Sequence, residues 1–157
     1  MRSKTHIWPT TKVFIDPDSK PQIKMLRGRL EVTVRQRSPE KIRELLHQWY
    51  KVRARDVFER RLMALLPKLL WLTEPPTLRL QTMQTQWGSC STKGTITLNP
   101  QLVKAPRDCI DYVILHECCH LVEHNHSERF YRLIGQVMPE WESIKLRLDG
   151  LAGRIFC

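Results

Sequence analysis

Residues 116–120 read His116-Glu117-Cys118-Cys119-His120, an H-E-x-x-H string. Two imidazoles four residues apart stand one turn apart on the same side of a helix and can share one small cation. A carboxylate beside the first of them reaches water at that cation more easily than the cation itself, which suits a general base. At about 100° per residue, His116, Glu117 and His120 fall in one sector, with Ile110, Ile114, Cys118 and Leu121 in the opposite one. The spacing predicts an amphipathic helix with one packing face and one chemical face. Cys118 falls on the packing face, which disfavours thiolate ligation by it.

A catalytic zinc takes three protein ligands and keeps one position open. Three residues compete for the third place. His124 continues the same face, but on an unbroken helix it lies about 12 Å along the axis from His116, too far to share an ion with it. His126 follows Asn125, a residue that tolerates the left-handed conformation ending helices, and a chain turning there can bring His126 back beneath the metal. The string is then H-E-x-x-H-x-x-x-x-x-H, a metzincin-type ligand spacing without its glycine. Glu140, from the next helix, would make a His₂Glu site. We rank His126 first, Glu140 second and His124 last.

Several elements must position these residues. Pro106 is expected to open the active-site helix, which runs to about Glu123. A helix or pair of helices follows over 127–148, broken near Pro139. Upstream, residues 77–87 are expected to form a strand, with an apolar phase that shifts between Leu80 and Met83 as at a bulge. Residues 91–94 make a turn, and Thr95–Leu98 return with Ile96 and Leu98 on one face, completing a hairpin. Further back, Ser38-Pro39 starts a long helix that Pro67 interrupts near residue 66, or two shorter ones. Residues 11–16 and 29–35 alternate weakly and suggest a small antiparallel N-terminal sheet. Pro75-Pro76 is taken as a linker between layers of a single domain over 1–157. Its first part, 1–75, is a sheet and long helix; its second, 76–157, is the hairpin, active-site helix and C-terminal helices.

The 157 residues allow one ordinary domain. With 41% apolar and 27% charged residues, the chain is globular and not disordered. No apolar run could span a bilayer, and the N-terminus lacks a signal-peptide core, so no membrane partner and a cytoplasmic protein are expected. Five cysteines, two of them adjacent, do not form a disulfide framework and fit reduced thiols. The net charge of +10 is lopsided: residues 1–75 hold 17 Lys+Arg against 8 Asp+Glu, and residues 76–157 hold 9 against 8. The basic half, with Arg43, Lys51, Arg53, Arg55, Arg60 and Arg61 on the long helix, is usually a solvated face. It is also a candidate surface for nucleic acid. His6 and His47 have no partner spacing, and Trp49, Trp71 and Trp141 are expected in the core.

The site string, with Asn125-His126-Ser127 and Phe130-Tyr131 after it, resembles the YgjP-like metallopeptidase family. So do Trp87-Gly88-Ser89-Cys90-Ser91, Ile96, Leu98-Asn99 and Asp111-Tyr112-Val113 before it, and Met138-Pro139-Glu140 beyond. The likeness is specific over residues 78–145. It implies a small zincin-like α+β fold, an antiparallel sheet or hairpin packed on an active-site helix. It also implies His116, His120 and His126 as ligands of one Zn²⁺ per chain, Glu117 as catalytic base, and distant kinship with SprT-like proteases. Cys118-Cys119 departs from the small or aliphatic residues such families often carry there.

The expected function is a zinc-dependent peptidase acting on protein or peptide. The hairpin 78–98, if it lies at a sheet edge, would pair with extended substrate, with Trp87, Gly88 and Ser89 against it. Ser89 or Gln86 could help hold an oxyanion. Two other readings compete. The same site could hydrolyse a nucleotide phosphoanhydride, although no Gly-rich phosphate loop is present. Alternatively, the protein could be a nucleic-acid-associated module with a structural metal, although no nucleic-acid-binding motif accompanies the basic half.

Overall fold

The computed structural model describes residues 9–156; His6 and Cys157 lie outside them. The described chain holds six strands and four α-helices. It divides into two compact units, one up to Arg53 and one from Ala54 onward.

The first unit contains β1 (Thr10–Ile15), β2 (Gln22–Leu26), β3 (Arg29–Val34) and the start of α1 (Pro39–Leu65). The sheet order is β1-β3-β2. β2 and β3 are antiparallel, with Ile23 opposite Val32. Their two-residue connection, Arg27-Gly28, has φ of 51° and 78°. Positive φ at both positions is the type I′ turn whose twist matches a hairpin. β1 joins β3 in parallel, Val13 opposite Val32. The sheet is therefore mixed, not antiparallel as expected. The segment Gln22–Leu26 is not among the expected strands, since its alternation, Gln22-Ile23-Lys24-Met25, spans only four residues. In β3, Leu30, Val32 and Val34 are buried, as is Glu31, which accepts from Arg29 at 3.2 Å. Ser38 caps α1 through its hydroxyl, which accepts from the Lys41 backbone N–H at 3.3 Å.

The second unit carries the rest. The C-terminal half of α1 buries Ala54, Phe58, Leu62 and Leu65 along one stripe. Pro67 falls in a 3₁₀ turn, Leu66–Lys68, that ends the helix. A second sheet follows, formed by β4 (Thr77–Leu80), β5 (Gly88–Cys90) and β6 (Thr95–Leu98) in the order β4-β6-β5. β4 runs parallel to β6 and β5 antiparallel to it. The expected hairpin is thus only β5–β6, and the expected strand 77–87 stops at Leu80.

Residues 81–87 form a loop pinned by one side chain. Asn99 is fully buried. Its Nδ2 donates to the carbonyls of Met83 (2.7 Å) and Gln86 (3.0 Å), while its Oδ1 accepts from the Gln101 backbone N–H (3.1 Å). A buried amide satisfied this fully fixes the loop that delivers Trp87 and Gly88 to the site.

α2 (Arg107–His120), α3 (Glu128–Val137) and α4 (Trp141–Ile155) complete the unit. α2 ends at His120, earlier than expected, and it is not amphipathic. Every residue from Cys109 to Leu115 is buried, and so are Glu117, Cys118 and Cys119. Of the two acidic residues this buries, Asp111 is held by Arg61 through two hydrogen bonds of 2.8 Å. Arg61 therefore belongs to this part-buried pair and not to a solvated face. A carboxylate buried without such a partner would be strongly destabilising. Among the described residues, no helix is long and apolar enough to cross a membrane.

Candidate metal centre

α2 places His116 and His120 one turn apart, as the sequence requires. After His120 the chain leaves the helix by short backbone bonds: Leu121 N–H donates to the Cys118 carbonyl, and Val122 N–H to that of Cys119. Asn125 does not adopt the left-handed conformation; Arg27 is the one non-glycine residue with positive φ among the described residues. The exit is thus a tightened last turn, not an Asn-type cap. It still brings His126 back to the helix.

The three Nε2 atoms form a compact triangle. They lie 3.2 Å apart for His116 and His120, 3.0 Å for His120 and His126, and 3.2 Å for His126 and His116. Tetrahedral nitrogens at ordinary zinc distances stand about 3.3 Å apart, so the triangle fits one zinc ion. Among the described residues, this is the one cluster of three or more His, Cys, Asp or Glu able to hold a metal. His124 and Glu140 are exposed and stay outside it.

Second partners set the tautomers. His120 Nδ1 lies 3.0 Å from the Glu123 carbonyl oxygen, which can only accept. His120 therefore carries its proton on Nδ1 and offers a lone pair at Nε2. His116 Nδ1 lies 3.3 Å from the Tyr112 hydroxyl, one turn back on α2. Burial and the neighbouring imidazoles push the His116 pKa down to about 4, and burial lowers that of His120. Both are then neutral at pH 7, the state that ligation demands.

Phe130 is the floor. It is 1% exposed, and its ring lies 4.9, 4.5 and 4.9 Å from those of His116, His120 and His126. Ser127 starts α3 by accepting from the Phe130 backbone N–H at 3.3 Å, which sets where that ring sits. Tyr112, Phe130 and Asn99 stand among the residues that carry the family resemblance, but sequence reasoning assigned none of them, nor the Glu123 carbonyl, a role in the site. The i, i+4 spacing of Tyr112 and His116 was the signal available for the first of these.

Glu117 is 6% exposed, and burial pushes its pKa up to about 7. Gly88 explains how closely its surroundings approach. A Cβ on Gly88 would stand 3.0 Å from the Thr97 carbonyl oxygen and 3.2 Å from Glu117 Cγ. β5 can rest against the carboxylate side chain only because residue 88 has no side chain of its own. A cavity of about 200 Å³ opens here, and Trp87, Gly88, His116 and Glu117 are among its lining residues. Trp87 also stacks on Phe156, ring centroids 4.3 Å apart. Ser89 is exposed on β5 and does not line the cavity. Burial pushes the Cys118 and Cys119 thiols up to about 12, leaving no thiolate near neutral pH.

The family model for the YgjP-like metallopeptidase domain matches residues 10–150. The chain belongs to this family. Among solved structures, the metallopeptidase zymogen of Pyrococcus abyssi abylysin is 27% identical, with 60% of this chain and 90% of abylysin covered at a TM-score of 0.50. The metallopeptidase zymogen of Methanocaldococcus jannaschii jannalysin is 23% identical, with 62% and 94% covered at a TM-score of 0.48. Comparison with curated proteins finds no match. Membership of the YgjP-like family accounts for a mixed α+β domain built around a metal site. Among the described residues, the three imidazoles above are the cluster that could hold such a metal.

Proposed function

We propose that the protein is a zinc-dependent peptidase whose His116, His120 and His126 hold one Zn²⁺ and whose Glu117 is the catalytic base. The triangle of Nε2 atoms beside a buried carboxyl group carries this reading. Zinc bound there supplies Lewis acidity, which makes water nucleophilic at neutral pH and polarises a carbonyl oxygen.

The chain's own groups supply the remainder. A Glu117 carboxylate oxygen takes a proton from the attacking water as the new C–O bond forms. It returns that proton to the amide nitrogen as the C–N bond breaks. A pKa held near 7 by burial lets one group do both. Tyr112 and the Glu123 carbonyl keep two imidazoles turned toward the metal. β5 lies at the edge of its sheet, so an extended peptide can add beside it, with Trp87, Gly88 and Ser89 along its path.

Elemental analysis of untagged protein, with His126→Ala and Glu117→Gln alongside, tests the reading. One zinc per chain in the wild type, marked loss in His126→Ala, and full zinc with no cleavage of unstructured protein in Glu117→Gln are expected. Retention of zinc by His126→Ala would move the third ligand elsewhere. Full activity in Glu117→Gln would remove the base.

A further inference from the structure

A second cavity of about 510 Å³ adjoins His116 and His126. It shares Tyr112, His116, Lys145 and Asp149 with the cavity that holds Glu117, so the two flank the metal centre. Their chemistry differs. The smaller one takes Trp87, Val113 and Leu148 as apolar walls. The larger one is walled by Tyr131 and Trp141, stacked at 5.4 Å with planes 22° apart, and adds the carboxylate of Glu142.

The charges decide what fits. Lys145 is bound to Asp149 at 2.8 Å, so these two neutralise each other. Glu142 has no ion-pair partner among the described residues. Away from the metal centre, the cavity thus presents aromatic surface, Tyr131 being 44% exposed, leading to one carboxylate without an ion-pair partner. A long aliphatic stem with a cationic end matches both parts: the stem packs on the rings and the cation meets Glu142. A planar guanidinium also stacks on such rings, which an ammonium does less well.

We propose that this cavity is a subsite for a basic side chain of a peptide substrate, arginine above lysine, with Glu142 and the Tyr131–Trp141 wall as its specificity-determining residues. The proposal rests on the peptidase reading and deepens it.

The test uses blocked hexa-alanine peptides carrying a single arginine, norleucine, phenylalanine or glutamate at each position in turn. Binding is measured by calorimetry to zinc-loaded Glu117→Gln protein, in which turnover is expected to be lost. Cleavage is measured separately with the wild type. At one position the arginine peptide is expected to bind roughly five- to tenfold tighter than norleucine. Adding Glu142→Gln, an exposed substitution, should shrink the gap to what the rings alone contribute, and Glu142→Lys should reverse it in favour of glutamate. An arginine preference undiminished by Glu142→Gln, a preference for norleucine or phenylalanine, or no binding by any peptide overturns the subsite. If arginine binds in a Glu142-dependent way but the wild type cleaves nothing, the peptidase reading fails and the subsite stands. If the wild type cleaves without regard to arginine, the subsite fails and the peptidase reading stands.

Discussion

Two neighbouring stretches supply the three imidazoles, and they are built in opposite ways. α2, which holds His116 and His120, is buried on almost every side and tied down at Asp111 by Arg61 and at the Cys118 carbonyl by Trp71 Nε1 (3.1 Å). The segment Leu121–Ser127, which supplies His126, is half or fully exposed and has no regular structure beyond its opening turn. The helix is held by packing and the segment by a few hydrogen bonds and the Phe130 ring. A metal centre of this kind needs only two ligands fixed in advance. The third can arrive on a loop, provided something rigid waits beneath it, and Phe130 does so.

The contrast can be tested from its strongest consequence to its weakest. Glu117→Gln, on the rigid side, should lower turnover by about 10³-fold or more while zinc stays at one per chain, since only the proton-transfer group changes. Phe130→Ala should cost about 3–5 kcal/mol of stability in a denaturant melt and weaken zinc binding as well, because it removes the floor common to helix and loop. A loss of stability with unchanged zinc affinity would show that the loop orders itself.

Metal-free protein should show the strain of the buried carboxyl. Its pKa is raised from 4.5 to about 7, so its contribution to stability is fully present below pH 4.5 and lost as pH rises through 7. Metal-free Glu117→Gln should therefore melt higher than metal-free wild type at pH 8, by up to about 3 kcal/mol, and no higher at pH 4.5. His116 behaves in the opposite sense, its contribution being lost as pH falls from 6.5 toward 4, but it is common to both proteins and cancels in the difference. Tyr112→Phe should weaken zinc binding by about 10–100-fold in a competition titration with little change in melting temperature. Ser127→Ala, on the loop side, should cost about 1 kcal/mol through loss of the α3 cap.

The chemical residues were legible in the sequence because their relation is local. A spacing of four on a helix dictates side-by-side imidazoles whatever surrounds them. His126 was legible as well, although by a different turn from the one expected: the chain leaves at Leu121 through tightened backbone bonds, and Asn125 is not left-handed. What escaped was non-local. Nothing in Val13 or Leu78 announces a parallel neighbour, since pairing register is set between segments far apart. α2 looked amphipathic because His116, Glu117 and His120 share one sector opposite Ile110, Ile114, Cys118 and Leu121, and nothing local says that the charged Asp111 is buried too. Its partner Arg61 stands fifty positions away, and a helix can bury a charge that a distant residue neutralises. Phe130 and Asn99 belong to the segments that carry the resemblance, but their roles stayed hidden for a similar reason, as their value lies in what they touch.

The way Asn99 holds the loop 81–87 has one further consequence, for anyone wishing to re-engineer this protein. Its side-chain amide grips the main-chain carbonyls of Met83 and Gln86 and no side chain of the loop. Gln81, Thr82, Gln84, Thr85 and Gln86 are all exposed. The loop's shape is therefore written in its backbone and guarded by a residue outside it. Apart from Gln86, which lines the cavity beside Glu117, its outward letters can be rewritten as a graft site beside the cleft, leaving the scaffold beneath undisturbed.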